Sequence, residues 1–327
     1  MENETISRIA NKIYESERIV ITSHLRPDGD SICTSLALSF MGQQLGKVAE
    51  IINKENTPFP FNTFPDAERI KIGEIPPGKF DIAILLECAN VMRSGQKNLD
   101  NYFKINIDHH YTNDHYADIN WVEPQASAVG EMVYFLGEKL GIKFTKQIAQ
   151  NLYAAIVSDT GSFQFSNTTA RALDVCHRLI KVGADSTQVS EMLFNNNPPQ
   201  KIKLLGQVLS TLRMNKKGNI AIITMFREFL ESLRLKEIDT EDITTLARSI
   251  KGVHLVLFFK EVAENTFRIS LRSKGKTNAA FIAEHFGGGG HPHAAGFTVR
   301  GDYGKLLEEV STRVEELLEK IDKEKGK

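Results

Sequence analysis

The sequence predicts an α/β protein: an N-terminal, doubly wound, mostly parallel sheet, then a smaller C-terminal α/β domain, with a cleft between them. Three observations carry that expectation. The first half alternates apolar strand-like runs with helix-like ones, the pattern of parallel strands joined by crossovers. Those strand runs are apolar without alternation, as strands covered on both faces require. Finally, 327 residues exceed one domain at ~100–200 residues each, and a second strand pattern begins near residue 219.

The elements follow in order. RIVITSH (18–24) is a buried strand that ends in polar residues, and SICTSLALSFMGQQL (31–45) is a helix closed by Gly46. VAEIIN (48–53), FDIAILLECAN (80–90) and FKINIDHH (103–110) are further strands, and helices follow near 127–140 and 145–157. Residues 186–203 carry three Asn and two Pro and read as a helix end and a linker. The expected division is therefore 1–188, a linker 189–212, and 213–327. NIAIITMF (219–226), VHLVLFFKEV (253–262) and TFRISLRS (266–273) supply the second set of strands. Residues 303–324 form a charged amphipathic helix, whose last lysines and tail read as a solvated end.

Composition narrows the function. Lys+Arg is 40 against Asp+Glu 41, for a formal net charge of −1. That excludes a polybasic protein that coats long nucleic acid by phosphate neutralisation, and it leaves room for a local basic groove. The longest apolar stretches, 82–89 and 253–259, fall short of the ~20 residues a membrane span needs. The N-terminus has early acids and no apolar signal core. Cys33, Cys88 and Cys176 are odd in number and scattered, which reads as reduced thiols and a cytoplasmic protein without membrane partners.

Four segments place chemistry in turns, three of them at strand ends, where open parallel sheets bind ligands. SHLRPDGDS (23–31) presents His24, Asp28 and Asp30 just after a strand. Taken alone, Pro-Asp-Gly-Asp is equally good turn chemistry. Glu87 closes an otherwise apolar strand, where a carboxylate is costly unless paired or metal-bound. Asp81, at the start of that strand, belongs to the opposite edge and reads as structural. INIDHHYTND (105–114) offers Asp108, His109 and His110. Neighbours on a strand point to opposite faces, so one histidine can bind metal while the other faces substrate. In AAIVSDTGSFQFSNTTARA (154–172), an apolar run ends at Asp159 before a helix capped near Asn167 or Thr168.

Together, His24, Asp28, Asp30, Glu87, His109 and Asp159 supply two imidazoles and four carboxylates. Four negative charges balance two divalent cations. Mixed nitrogen and oxygen ligation without thiolate suits Mn²⁺, Mg²⁺ or Fe²⁺ better than structural zinc. Two such ions can clamp both oxygens of a phosphoryl displacement. In the second half, EHFGGGGHPHAAGF (284–297) carries Gly287 to Gly290, then His291 and His293. The glycines permit close backbone approach and exposed N–H groups suited to a phosphate, although four glycines also suit a flexible linker. Arg272, ending the strand RISLRS, has the fork to hold a phosphate bidentately or is simply a solvated surface residue.

These segments resemble the DHH phosphoesterase family. SHLRPDGDS is similar to its first motif, LLECAN to its second, IDHHYTND to the Asp-His-His motif and VSDTGSF to its fourth. SLRSKG and FGGGGHPHAAGF resemble the glycine-rich signature of the DHH-associated C-terminal domain, so the likeness spans nearly the whole chain. The two-domain layout resembles the bacterial nano-RNase/pAp-phosphatase branch. One departure stands out: Glu87 occupies a position where the family usually has Asp.

The resemblance implies two Mn²⁺, with Mg²⁺ or another divalent ion as substitute. His24 and Asp28 would hold the first ion; Asp30, His109 and Asp159 would hold the second; Glu87 would bridge them. It implies that His110 contacts the scissile phosphate and that Asp108 orients a ligand histidine. Arg272, Gly288, Gly289, Gly290, His291 and His293 would hold the substrate's terminal phosphate and nucleotide. The implied reaction is hydrolysis by metal-activated water, acting on RNA or DNA oligonucleotides of two to five residues and on 3′-phosphoadenosine 5′-phosphate (pAp). The alternative is a cyclic di-AMP or linear dinucleotide phosphodiesterase; a non-catalytic nucleotide-binding protein is a lesser one. A manganese-dependent pyrophosphatase needs no nucleotide-binding glycine loop, and a processive exonuclease on long strands needs additional binding modules. The resemblance further implies a homodimer.

Overall fold

The computed structural model describes residues 2–235, 240–275 and 277–325. It divides into two compact units, Met1–Asn196 and Asn197–Lys327. Among the described residues, no helix is long and apolar enough to cross a membrane.

In the first unit, helix α1 (Glu2–Glu15) precedes strand β1 (Arg18–Ser23), helix α2 (Gly29–Gln44) and strand β2 (Val48–Asn53). Three short strands, β3 (Ile70–Ile72), β4 (Ile82–Leu86) and β5 (Phe103–Asp108), lead to β6 (Ile119–Val122). Helices α3 (Val129–Lys139), α4 (Lys146–Asp159), α5 (Ala170–Val182) and α6 (Ser186–Phe194) close the unit. The sheet order is β3-β2-β1-β4-β5-β6, and every pairing is parallel.

That order winds outward in both directions from β1 and β4, which makes their shared carboxyl end the switch point where such sheets bind ligands. The two faces are covered differently. Ile19, Ile21, Ile84, Leu86 and Ile107 pack against the α-helices. Val20, Ala83 and Leu85 face a smaller cluster with Leu99 and Tyr102, which lie on or beside the short 3₁₀ turns Val91–Ser94 and Leu99–Asn101. Asp81 ties the opposite edge, accepting the N–H groups of Glu17 and Arg18 at 2.8 Å each.

Residues 186–203, expected to be a helix end and linker, instead carry α6 and the start of α7 (Pro199–Ser210). Asp185 caps α6 by accepting from Gln188 N. Proline occupies the first turn of α7, where its missing N–H costs nothing.

The second unit adds β7 (Arg213–Met214), β8 (Ile220–Met225), α8 (Arg227–Ser232), α9 (Glu241–Arg248), β9 (Leu255–Ala263) and β10 (Thr266–Ser273). It ends with α10 (Ala279–Glu284), β11 (Gly289–His291), β12 (Ala294–Arg300) and α11 (Tyr303–Lys325). Its sheet, β11-β12-β10-β9-β8-β7, is antiparallel except where β8 pairs with β9. One face packs on Ile282, Leu306, Val310 and Leu317, from α10 and α11. The other packs on Leu204, Val208, Ile243 and Ala247, from α7 and α9. The side chains of Lys323, Lys325 and Lys327, expected to be solvated, lie outside the described residues.

Candidate metal centre

The site is built at the switch point. His24 follows β1 directly and is buried; its Nδ1 lies 2.8 Å from its neighbour's carbonyl, Leu25 O. A ring that donates Nδ1–H to a carbonyl presents a bare Nε2. That Nε2 lies 3.6 Å from Asp28 Oδ2 and 3.8 Å from Glu87 Oε2. Asp28 is the N-cap of α2: Oδ1 accepts Ser31 N at 3.1 Å, which leaves Oδ2 aimed at His24.

Glu87 follows β4 with φ 56°, a left-handed conformation that costs a non-glycine residue energy and is often found at functional sites. It is 1% exposed. Its two oxygens diverge: Oε1 lies 3.5 Å from His109 Nε2, while Oε2 faces His24. Oε2 has no hydrogen-bond partner. His109 repeats the arrangement of His24, with Nδ1 3.1 Å from Ala126 O and Nε2 turned to the carboxylates. Asp30, in the first turn of α2, accepts Thr34 Oγ1 at 2.9 Å, Val129 N at 2.5 Å and Gly130 N at 2.9 Å.

Two triads result. Ligand atoms of His24, Asp28 and Glu87 lie within 4.8 Å of one another, as do those of Asp30, Glu87 and His109. Glu87 belongs to both. Asp159 stands beside the second, with Oδ2 3.9 Å from His109 Nε2. The sequence placed Asp159 on a turn like the others; it is instead the last residue of α4, brought to the edge by a helix end. The following helix is capped by Thr169, not by Asn167 or Thr168, because Asn167 is engaged with Asp159 Oδ2 at 3.2 Å.

The electrostatics fit cations. Burial, reinforced by Asp28 and Asp30, pushes the Glu87 carboxyl well above its ordinary range. Burial and the Asp30 charge lift Asp159 to about 7. Burial alone would lower the histidines. In the protein by itself, hydrogen bonds and charge from Asp28 and Glu87 outweigh it and hold His24 at about 10. Glu87 and Asp159 do the same for His109, at about 11. Protons on the two histidines thus offset part of the negative charge that divalent ions would balance. An orphaned buried carboxylate oxygen, two oriented Nε2 atoms and an all-oxygen-and-nitrogen donor set match a hard or borderline metal.

Asp108 and His110 lie beside the triads. Asp108 is fully buried, and its Oδ1 accepts His110 Nδ1 at 2.7 Å. The other oxygen accepts Asn113 Nδ2 at 2.6 Å. Burial pushes the Asp108 carboxyl up, but the bonds and charge of His110, with Asn113, outweigh it and hold it below the usual carboxylate value. Asp108 therefore orients His110. His109, the ring in the second triad, is held by a backbone carbonyl instead, because adjacent side chains diverge at the strand end.

In the second unit, the glycine run is an ordered hairpin. Gly289 and Gly290 pair with Gly296 and Ala295. A Cβ at Gly288 would lie 2.2 Å from Gly296 O, and one at Gly290 would lie 2.6 Å from Ala294 O, so only glycine permits this strand approach. The N–H groups of Gly287 and Gly288, expected to be open to an anion, donate to Glu284 O and Ala283 O. His291 and His293 are exposed. His293 Nδ1 lies 3.1 Å from Ser273 Oγ, which neighbours Arg272, and Arg272 Nη1 donates to Leu271 O.

Sequence reasoning did not single out Asn113, Ser127, Glu131 or Arg171, and it named Asn167 only as a helix cap. Asn113 sits inside the IDHHYTND segment, so its presence there was the available signal. The others act through contacts distant in sequence.

A parallel sheet with oxygen and nitrogen ligands gathered at its switch point defines a phosphoester-hydrolase type of centre, and the comparisons give its family. The DHH family N-terminal domain profile matches residues 18–156, and the DHHA1 domain profile matches 222–324. The chain belongs to the DHH family of phosphoesterases. It is 33% identical over 303 residues to the bifunctional oligoribonuclease and PAP phosphatase of Thermus thermophilus, covering 92% of this chain and 90% of that one. The Bacillus subtilis protein of the same name is 28% identical, with 91% and 93% covered. The solved structure of an exopolyphosphatase-related protein from Bacteroides fragilis superposes with a TM-score of 0.84 at 25% identity, over 97% of this chain and 96% of that one.

Proposed function

We propose that this chain hydrolyses short oligonucleotides to 5′-mononucleotides and pAp to AMP, using two divalent cations, Mn²⁺ in the first place. The observation that carries the reading is Glu87, which splits its two oxygens between two ligand triads. The relatives named as oligoribonucleases and PAP phosphatases supply the substrate class.

His24 and Asp28 would hold one ion, Asp30, His109 and Asp159 would hold the other, and Glu87 would be shared between the two. When bound, such ions polarise phosphoryl oxygens and lower the pKa of a water to supply the nucleophile at neutral pH. The chain's own part is positioning and proton placement. The carbonyls of Leu25 and Ala126 fix the tautomer that turns each ligand Nε2 inward. Asp108 accepts a hydrogen bond from His110 Nδ1 and so orients the ring, whose other nitrogen is left to meet an oxygen of the scissile phosphate. That interaction strengthens as charge builds on the phosphoryl group.

Arg272, His291, His293 and the hairpin at Gly288, Gly289 and Gly290 are assigned to the terminal phosphate and nucleotide. The proposed division is a metal domain over 1–188 and a substrate-binding domain over 213–327, with 189–212, the stretch that carries most of α6 and α7, joining them. Buried free thiols at Cys33, Cys88 and Cys176 accord with a cytoplasmic enzyme. The family resemblance adds a homodimer, which an elution volume at about twice the chain mass tests.

One panel tests the substrate class: Mn²⁺-dependent turnover on pAp, di- to pentanucleotides, cyclic di-AMP, pyrophosphate and a long single strand. The expected order puts pAp and the short oligomers first. A preference for cyclic di-AMP would shift the reading to a cyclic-dinucleotide phosphodiesterase, and a preference for the long strand would defeat it.

A further inference from the structure

The loop between β6 and α3 touches the supports of three proposed ligands. Ala126 O holds His109 Nδ1 at 3.1 Å. Val129 N and Gly130 N donate to the two oxygens of Asp30. Ser127 O accepts Asn167 Nδ2 at 3.0 Å, and the same amide nitrogen donates to Asp159 Oδ2. Asp30, His109 and Asp159 are the group assigned to one ion. His24 and Asp28 take their holds elsewhere, from Leu25 O and Ser31 N.

The ends of this loop are fastened together. Glu123 begins it and Glu131 lies in the first turn of α3 beyond it, and Arg171 of α5 grips both. Its Nη1 lies 2.5 Å from Glu123 Oε1, and its Nε donates to Glu131 Oε1. Glu131 is fully buried, and its other oxygen accepts Ser127 N at 2.8 Å. Ser127 Oγ in turn donates to Asn167 O at 2.6 Å. Arginine offers a planar fork that can fix two carboxylates at once, which the single ammonium of lysine cannot reproduce.

We infer that Arg171 is a positioning residue for one of the two cation sites, the one bounded by Asp30, His109 and Asp159. It acts by setting the span of residues 123–131. The inference rests on the two-ion reading above. It implies that the two ions are held by separable scaffolds, so a lesion at the clamp affects one ion and spares the other.

The test is Mn²⁺ titration calorimetry on the full chain, with melting of the metal-free protein as a fold control. Wild type is expected to bind two ions. Arg171→Lys is expected to weaken one of them by up to about 10-fold, the low end of the cost of losing a ligand's direct outer partner because Arg171 acts one contact further out, and to leave the other within about twofold. If Arg171→Lys fails to fold, the double variant Arg171→Gln with Glu131→Gln leaves no unpaired charge fully buried and carries the same expectation. Unchanged binding of both ions, or equal weakening of both, overturns the inference while the functional reading stands. A wild-type protein that takes fewer than two ions overturns the functional reading and this inference with it.

Discussion

Glu87→Gln isolates the shared ligand with little change in volume. In the metal-free protein two effects oppose each other. The variant relieves a buried carboxylate that burial and like charges disfavour, worth ~1–3 kcal/mol. It also removes the partner of two imidazoliums at 3.5 and 3.8 Å. Metal-free stability should therefore move little.

The metal-dependent part behaves differently. An ion present at 1,000 times its Kd stabilises the fold by ~4.1 kcal/mol. For a unit of this size, 196 residues, that is ~8–16 °C in Tm at ~2–4 °C per kcal/mol. Loss of even an outer partner weakens a metal by ~10–100-fold, and loss of a direct ligand should reach the upper figure. At the same Mn²⁺ concentration the ion is then at ~10 Kd and stabilises by only ~1.4 kcal/mol, or ~3–6 °C. Thermal melts with and without Mn²⁺ read this directly, alongside turnover on a dinucleotide. A Gln variant with the wild-type Mn²⁺ shift and near wild-type turnover would refute the bridging role. Glu87→Asp should retain activity, since the family usually places Asp at this position.

Metal binding near pH 7.5 should release protons, because His24 and His109 are protonated in the metal-free protein up to about 10 and 11 and must deprotonate to bind. Their raised values contribute stability to the metal-free protein that is fully present below ~6.5 and is lost as pH rises through the folded values. Apparent Mn²⁺ affinity therefore rises with pH. Calorimetry in buffers of different ionisation heat measures the release, and no buffer dependence would contradict it. Asn113→Ala strips one hydrogen bond from the buried Asp108; it should cost ~1–3 kcal/mol and slow turnover, with Mn²⁺ binding unchanged by titration. Gly290→Ala places a Cβ 2.6 Å from Ala294 O at φ 145°; melting should show a loss of ~1–3 kcal/mol, while an unchanged Tm would mean that the hairpin adjusts freely.

Much of this architecture was legible because the signals are local. The strands at 18–23, 82–86 and 103–108 are rich in Ile, Val and Leu, and polar residues terminate them. Those same terminating residues, His24, Glu87 and His109, became the site. Strands β3 and β6 escaped because three or four residues carry too little pattern, and α6 and α7 because Asn and Pro there cap and start helices rather than break them. Asp159 was found as a residue but placed on a turn, because the helix expected over 145–157 runs two residues further and carries it at its end. The glycine run signalled close approach correctly, but which N–H groups stay open depends on pairing with β12. The Arg171 clamp was invisible: its partners Glu123 and Glu131 lie 48 and 40 residues away, and nothing local marks a buried carboxylate as paired.

The central claim is that two cations sit on either side of one carboxylate. Anomalous diffraction from crystals grown with Mn²⁺ measures it most directly. The account predicts two peaks that share Glu87, one flanked by His24 and Asp28 and the other by Asp30, His109 and Asp159. A single peak, or peaks that leave Glu87 untouched, would contradict it.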